Sequence, residues 1–316
     1  MKDTVLEELQ PILNAAPIID LEKDGVEAAR LSPPVPTEHS ADVKITTRTI
    51  QGPDCPLTVR IYEPINRTQE LLPALFWSHG GGYVLGKPEY EDGICERFVL
   101  DVNCVVVQVD YRLAPEHTYP AAVEDSYAAL KWVADSASDL KIDRSRIAIA
   151  GPSAGGGLTA ALALMARDRG EVPILIQLLL YPMLDDRNET PSSYEINMKT
   201  MPRAWNRENN IAAWKLYLGK DFGDEVPPYA APARAKDLTD LPPAYFCVGQ
   251  QDPFRDEDIE YAARLARAGV SVEFHMYPGC FHGFDFIANR AEICERCRRD
   301  YITALKRAFD RAAGKK

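Results

Sequence analysis

Histidine is scarce in this chain. Only five occur among 316 residues (His39, His79, His117, His275 and His282), so chemistry that needs an imidazole has few places to find one. Cysteine is present but unpatterned: seven residues, an odd number at irregular spacing, argue against a disulfide framework and fit reduced thiols. Cys294 and Cys297 form a C-x-x-C on a helical stretch, but no second pair accompanies them, so no metal or redox role is expected there. Long apolar runs are missing as well. The longest, residues 174–181, falls far short of the ~20 residues of a spanning helix, so no stable membrane insertion is expected. No apolar core follows Met1-Lys2-Asp3-Thr4, which predicts a cytoplasmic protein without a secretory signal. The glycosylation sequons at Asn66 and Asn188 then carry no weight. Positive charge is not in excess either. With 36 Lys and Arg against 47 Asp and Glu, the net charge is −11, which argues against a nucleic-acid or anionic-membrane partner. There is no internal repeat and no low-complexity tract.

What the chain does have is core-forming residues: 46% are hydrophobic, enough for one large α/β domain with an insertion. Residues 1–40 precede any strand signal. Thr4 and Glu7 can form a capping box, Pro11 and Pro17 interrupt the segment into short helical pieces, and Ser32-Pro33-Pro34-Val35-Pro36 reads as a stiff connector. Residues 43–50 and 57–62 alternate apolar with polar around Gly52-Pro53-Asp54, an antiparallel hairpin. Residues 73–79, 105–109, 147–150 and 174–181 are almost wholly apolar, as strands covered on both faces are. Helices are predicted over 90–102, from Ala121, and after Ser153, where Leu158, Ala161, Leu162 and Met165 mark an apolar stripe. The pattern changes over 185–224, which is polar, carries Trp205, Trp214 and Tyr217, and shows no strand. Strands at 244–248 and 272–277 follow, each with a helix behind it. Such alternation implies a mostly parallel sheet with helices on both faces. The chain therefore divides into a first segment (1–40), a first core part (41–184), an insertion above the sheet (185–224) and a second core part (225–316).

The chemistry concentrates where an apolar strand meets Gly151-Pro152-Ser153-Ala154-Gly155 and then a helix. Strand, G-x-S-x-G and helix in that order make a nucleophile elbow. The Ala154 N–H sits at a helix N-terminus, where positive partial charge collects. A serine hydroxyl needs a base within hydrogen-bond reach and a third group to orient that base. His282 is the best-placed base, in a loop after the last strand, where an open α/β sheet puts its site. Asp252 follows the preceding strand and is the candidate acid. Asp256 and Glu257 compete with it but suit the start of the next helix. Gly80-Gly81-Gly82 after the third strand can aim N–H groups at a developing oxyanion. The residues behind it, Tyr83-Val84-Leu85-Gly86, do not fit a phosphate loop.

Taken in order, His79-Gly80-Gly81-Gly82, Asp110-Tyr111-Arg112-Leu113-Ala114-Pro115-Glu116, Tyr119-Pro120-Ala121-Ala122, Gly151-x-Ser153-Ala154-Gly155-Gly156, Asp252-Pro253-x-Arg255-Asp256 and His282-Gly283-Phe284 resemble the hormone-sensitive-lipase group of α/β-hydrolases, the bacterial family IV esterases and their fungal relatives, over about residues 70–310. The resemblance implies the α/β-hydrolase fold: an eight-stranded, mostly parallel sheet whose second strand is antiparallel, flanked by helices, under a helical cap built from the first segment and the insertion. It implies cofactor-free hydrolysis of carboxylic esters, with short and medium acyl chains usual. Carried over, Ser153 is the nucleophile, His282 the base and Asp252 its orienting acid. Gly81, Gly82 and Ala154 supply the oxyanion N–H groups, and His79 shapes the glycine loop. One departure stands out. The residue before the serine is usually Asp, Glu or Thr in this group, and here it is Pro152, which removes an N–H and fixes φ.

The reading is a serine carboxylesterase acting on a small-molecule ester, with a homodimer through the last strand's edge as a family-level expectation. Two alternatives use the same fold: a non-catalytic receptor like the plant gibberellin receptor, and a specialised lactonase or amidase. Trp205, Trp214 and Tyr217 would roof an apolar pocket or simply pack the cap.

Overall fold

In the computed structural model, which describes residues 5–31, 38–220, 223, 225–287 and 291–314, the chain begins with short helical pieces. A 3₁₀ turn (Glu7–Leu9) runs into α1 (Gln10–Ala15), and α2 (Gly25–Arg30) follows. Pro11 does not interrupt them. It sits in the first turn of α1, where a missing N–H costs no intrahelical bond. Thr4 of the expected capping box and the connector at 32–36 lie outside the described residues.

The strands are β1 (Val43–Gln51), β2 (Pro56–Pro64), β3 (Leu72–Ser78), β4 (Val105–Asp110), β5 (Ile142–Pro152), β6 (Gln177–Leu180), β7 (Ala244–Gln251) and β8 (Val272–Phe281). They form one sheet in the order β1-β2-β4-β3-β5-β6-β7-β8. β2 is antiparallel to both its neighbours, and every pairing from β4 onward is parallel. Three ends differ from the sequence reading. β5 starts at Ile142 and continues through Pro152. β6 is confined to 177–180, the stretch that pairs with both β5 and β7. β8 runs on to Phe281 because a register shift lets Gln251 pair with Phe281, so Pro278 to Phe281 is strand rather than loop.

The helices are α3 (Asp92–Val102), α4 (Ala121–Asp135), α5 (Ala137–Leu140), α6 (Ala154–Arg169), α7 (Pro191–Glu195), α8 (Arg207–Leu218), α9 (Arg255–Arg267), α10 (Phe284–Ile287) and α11 (Glu292–Ala312). Against one face of the sheet, Leu130, Leu162 and Leu265 of α4, α6 and α9 pack with Phe76, Val107 and Ile149. Against the other, Phe98 of α3 and Tyr301 and Leu305 of α11 pack with Trp77, Val106 and Leu178. This double cover is why β3 is buried along its whole length. Each large apolar side chain so enclosed contributes about 1.5–3 kcal/mol. α6 is not the one-sided helix its periodicity predicts. It is buried on all sides from Ala154 to Ala166, between the sheet and α4, and its small residues permit that approach. A Cβ on Gly155 would strike the carbonyls of Ser78 and His79.

Two segments lie over the carboxyl ends of the strands and are tied to each other. Asn209 of α8 accepts the Leu21 N–H at 2.9 Å and donates to the Ile19 carbonyl at 2.7 Å, and Arg203 donates to the Ala16 carbonyl. Of Trp205, Trp214 and Tyr217 in the insertion, the last two turn down onto Tyr83, with ring centroids 5.6 and 3.9 Å from its own. They pack the segment onto the core, and only Trp205 reaches the cavity beneath. Among the described residues no helix is long and apolar enough to cross a membrane.

Candidate active site

Ser153 stands alone between β5 and α6, with φ 56° and ψ −122°. A non-glycine residue in such a conformation costs about 1–3 kcal/mol and persists only where its surroundings hold it. Here three backbone bonds do so: the Ser153 N–H donates to Leu180 O at 2.9 Å, and Ser153 O accepts from Met183 at 2.9 Å and Gly157 at 3.0 Å. Pro152 ends β5 in register with Leu180, so the ring that lacks an N–H occupies an extended position proline accepts.

The turn places Ser153 Oγ 2.9 Å from His282 Nε2. His282 Nδ1 lies 2.8 Å from Asp252 Oδ2, and Asp252 Oδ1 accepts the Phe254 N–H at 2.9 Å. A carboxylate can only accept, so the proton between them sits on Nδ1 and leaves Nε2 free to accept from the serine. The rings of Tyr181 and Phe254 meet His282 edge-on at 5.0 and 4.9 Å and fix its plane. Asp252 is fully buried, while Ser153 and His282 keep 8% and 9% exposure, enough for a small reactant to reach them. The competing acids are engaged elsewhere. Asp256 binds Arg255 and the Ser192 N–H, and Glu257 accepts the N–H groups of Leu184 and Asp185. Among the other histidines, His39 pairs with Glu96, His275 pairs with Glu273, and His117 lines the cavity.

His79 and the glycine run form the facing wall. The His79 ring stacks on Tyr111 at 4.1 Å, and its Nδ1–H donates to Gly80 O at 2.8 Å. Burial lowers its pKa to about 4, so it stays neutral and braces the loop. The Gly80 N–H donates to Glu91 Oε1 at 2.9 Å. Gly81 and Gly82 take φ of 119° and 62°, which only glycine adopts freely. Among the described residues, the N–H groups of Gly81, Gly82 and Ala154 have no acceptor within the chain.

Several buried polar groups around the site escaped the sequence reading. Glu91 is held by the Gly80 N–H and the Trp77 Nε1–H, and burial pushes it up to about 7. Asp285 accepts from Tyr181 Oη at 2.8 Å and Tyr301 Oη at 3.3 Å, and burial raises its pKa. Asp258 is fully buried with no hydrogen-bond partner for either oxygen among the described residues, and burial raises it well above the usual range. Nothing in the order of residues marks these three. Their character comes from what folds around them.

A cavity of about 1510 Å³ opens over Ser153 and His282. Its apolar lining includes Ile19, Leu85, Ile94, Leu113, Trp205 and Phe286. Among the described residues no group of His, Cys, Asp and Glu is arranged to hold a metal ion, and all seven cysteines are free thiols. A hydroxyl, an imidazole and a carboxylate in line, beside N–H groups without acceptors, can move a proton off the hydroxyl and receive negative charge on a neighbouring oxygen.

Known proteins share this arrangement of sequence and fold. The pattern of the family described as alpha/beta hydrolase fold matches residues 75–286. Esterase LipI of Mycobacterium tuberculosis is 39% identical over 288 residues, covering 87% of this chain and 86% of its own. Carboxylesterase NlhH of the same species is 38% identical over 308 residues, covering 95% of each. Among solved structures, a bacterial heroin esterase superposes with a TM-score of 0.89 at 39% identity, covering 97% of this chain and 98% of its own.

Proposed function

From the premise that this chain belongs to the hormone-sensitive-lipase-like family of the α/β-hydrolase fold, and is a carboxylic ester hydrolase like the esterases it matches, we propose that it cleaves short- to medium-chain carboxylic esters through an acyl-enzyme on Ser153. The observation that carries the proposal is the line Ser153 Oγ–His282 Nε2–Nδ1–Asp252 Oδ2, with steps of 2.9 and 2.8 Å, facing N–H groups that have no acceptor among the described residues.

In this reading His282 Nε2 takes the hydroxyl proton as Ser153 Oγ attacks the ester carbonyl carbon. The carbonyl electron pair moves to oxygen, and the N–H groups of Gly81, Gly82 and Ala154 receive the charge. A single donor of this kind is worth about 2.7–4 kcal/mol of barrier. When the intermediate collapses, its carbon–oxygen bond to the alcohol breaks and His282 returns the proton to the departing oxygen. Water, deprotonated by the same imidazole, then attacks the acyl carbon; the bond to Ser153 Oγ breaks, His282 returns the proton to Oγ and the acid leaves. Asp252 keeps His282 in the productive tautomer throughout and stabilises the imidazolium. Residues 1–40 and 185–224 act as the cap, and Trp205 is its contact with the reacting end of the cavity.

The test is hydrolysis of p-nitrophenyl acetate, butyrate and octanoate by wild type and Ser153→Ala, with a fluorophosphonate label mapped by peptide mass. The expected result is loss of nearly all turnover in the variant, a label on Ser153, and a fall in kcat/KM toward the octanoate. Equal turnover in both proteins would sink the proposal.

A further inference from the structure

Behind the glycine loop stands a carboxylate that the reaction itself does not use. Glu91 ends a 3₁₀ turn (Pro88–Glu91) and is 8% exposed. One of its oxygens accepts the Trp77 Nε1–H of β3, and the other accepts the Gly80 N–H at 2.9 Å. We propose that Glu91 is a positioning residue for the oxyanion donors: tied to the sheet through Trp77, it fixes Gly80 and through it the aim of the Gly81 and Gly82 N–H groups. The inference rests on the acyl-enzyme reading above.

The loop can be followed one peptide unit at a time, because each unit is planar and its C=O and N–H point opposite ways. In the unit joining His79 to Gly80, the C=O is held by Tyr111 Oη at 2.7 Å and the N–H by Glu91. In the unit joining Gly80 to Gly81, the C=O is held by His79 Nδ1–H at 2.8 Å. In the unit joining Gly81 to Gly82, the C=O is held by the N–H groups of Val84 and Leu85 at 3.1 and 2.8 Å. Each clamped carbonyl therefore turns its own N–H the other way, and those two N–H groups are the ones left without an acceptor. Three successive glycines have the least intrinsic rigidity of any backbone run, so the clamps set the aim. Glu91 is the anionic one and holds the first unit, on which the other two depend.

The carboxylate form is required for both bonds. A protonated acid keeps one good acceptor, so either Gly80 or Trp77 loses its partner. Among the described residues, the side chains that bear on Glu91 are Trp77 on β3, Tyr111 after β4, Cys95 on α3 and the acidic Asp285 on α10, none of them a cation. Burial foremost, with Asp285 adding to it, pushes Glu91 up to about 7. Its ionisation thus falls near neutrality, and on acidification Glu91 takes up a proton and gives up one of its two bonds.

The experiment is the pH profile of kcat/KM on p-nitrophenyl butyrate for wild type, Glu91→Gln and Glu91→Asp, alongside fluorophosphonate labelling of Ser153. In wild type kcat/KM should fall as pH drops through about 7, where Glu91 takes up its proton. Glu91→Gln should lower kcat about 10–100-fold with KM changed no more than about twofold, and its profile should lose the fall centred near 7. Glu91→Asp, which keeps the charge, should recover part of kcat. A folded Glu91→Asp enzyme with kcat no higher than that of Glu91→Gln overturns the proposal. So does a Glu91→Gln enzyme with wild-type kcat and profile. If Ser153 labels normally in that case, the acyl-enzyme reading survives. If wild type is not labelled at Ser153, that reading falls first.

Discussion

Gly82→Ala adds one methyl group where a tryptophan ring already lies. A Cβ at this position meets Trp205 Cη2 at 2.6 Å, Cζ2 at 2.9 Å and Ala213 Cβ at 3.3 Å, against about 3.5–4.0 Å for an ordinary carbon contact. With φ at 62° the alanine also sits in the left-handed region, at about 1–2 kcal/mol. Trp205 does not swing away freely. Its Nε1–H donates to Asn210 Oδ1 at 3.2 Å, and Asn210 is itself bonded to Asn188 at 2.5 Å. Overpacking of this kind costs about 1–3 kcal/mol, so the folded state loses roughly 2–5 kcal/mol if nothing moves. The cheaper relaxation is rotation of the Gly82 peptide, which carries its N–H off the oxyanion position. The expected result is a 10²–10³-fold loss of kcat, the cost of one misplaced donor, with Tm lowered by only a few degrees. Trp205→Ala separates sterics from backbone strain, because it removes the obstacle and leaves only the left-handed penalty. The assay is a double-mutant cycle: kcat, KM and Tm for Gly82→Ala, Trp205→Ala and the pair on p-nitrophenyl butyrate. The pair should regain most of the kcat lost by Gly82→Ala. A folded Gly82→Ala enzyme with wild-type kcat would refute the reasoning, and so would a pair no faster than Gly82→Ala alone.

Two further outcomes follow from groups on either side of the serine. In Asp252→Asn the side-chain oxygen should keep the Phe254 N–H and turn the amide nitrogen toward His282 Nδ1, where Asp252 Oδ2 now sits; the tautomer then reverses, and kcat/KM on p-nitrophenyl butyrate should fall about 10⁴-fold, so a loss under tenfold would count against the role given to Asp252. Urea unfolding should show two opposed linkages behind the loop. His79, lowered to about 4 from 6.5, contributes stability that is present above 6.5 and lost as pH falls through 4, while Glu91, raised to about 7 from 4.5, contributes stability present below 4.5 and lost as pH rises through 7. Each amounts to roughly 3 kcal/mol, so wild type should change little between about pH 4.5 and 6.5 from these groups, whereas Glu91→Gln should lose stability steadily as pH falls across that window; parallel curves for the two proteins would refute the linkage.

Most of the fold is legible in the sequence because a sheet covered on both faces writes its strands as nearly continuous apolar runs, and β3 and β4 stand out for that reason. The ends of strands are a different matter. Residues 174–181 are as apolar as any run in the chain, yet β6 is only the part of it that finds a neighbour on each side. Pro278 and Gly279 look like loop, yet β8 passes through them because Gln251 shifts register to pair with Phe281. α6 misleads in another way. Alanine and glycine count as weakly apolar, so the helix reads as one-sided, while small residues are what allow it to be enclosed on every side.

Ser153, Asp252 and His282 could be located as candidates because each follows a strand, and strand order is what the sequence reports. Glu91 and Asp285 could not, since an acidic residue in a helical stretch looks the same whether water or protein surrounds it. Trp205 and Trp214 show the same limit, because composition does not say which tryptophan faces the cavity. Pro152 joins the two kinds of information. By sequence it is a departure inside the elbow. In the fold a Cβ on Gly80 would meet Pro152 O at 3.2 Å, and Pro152 Cγ and Glu91 Oε1 each at 3.5 Å. Gly80 is therefore the point where the elbow and the glycine loop touch, with the proline on one side and the buried carboxylate on the other. A rigid ring in the elbow loses one N–H at a strand end and gains a fixed surface against which the loop is set. The residue that looked least suited to the serine's turn is then better understood by the donors opposite it than by the serine beside it.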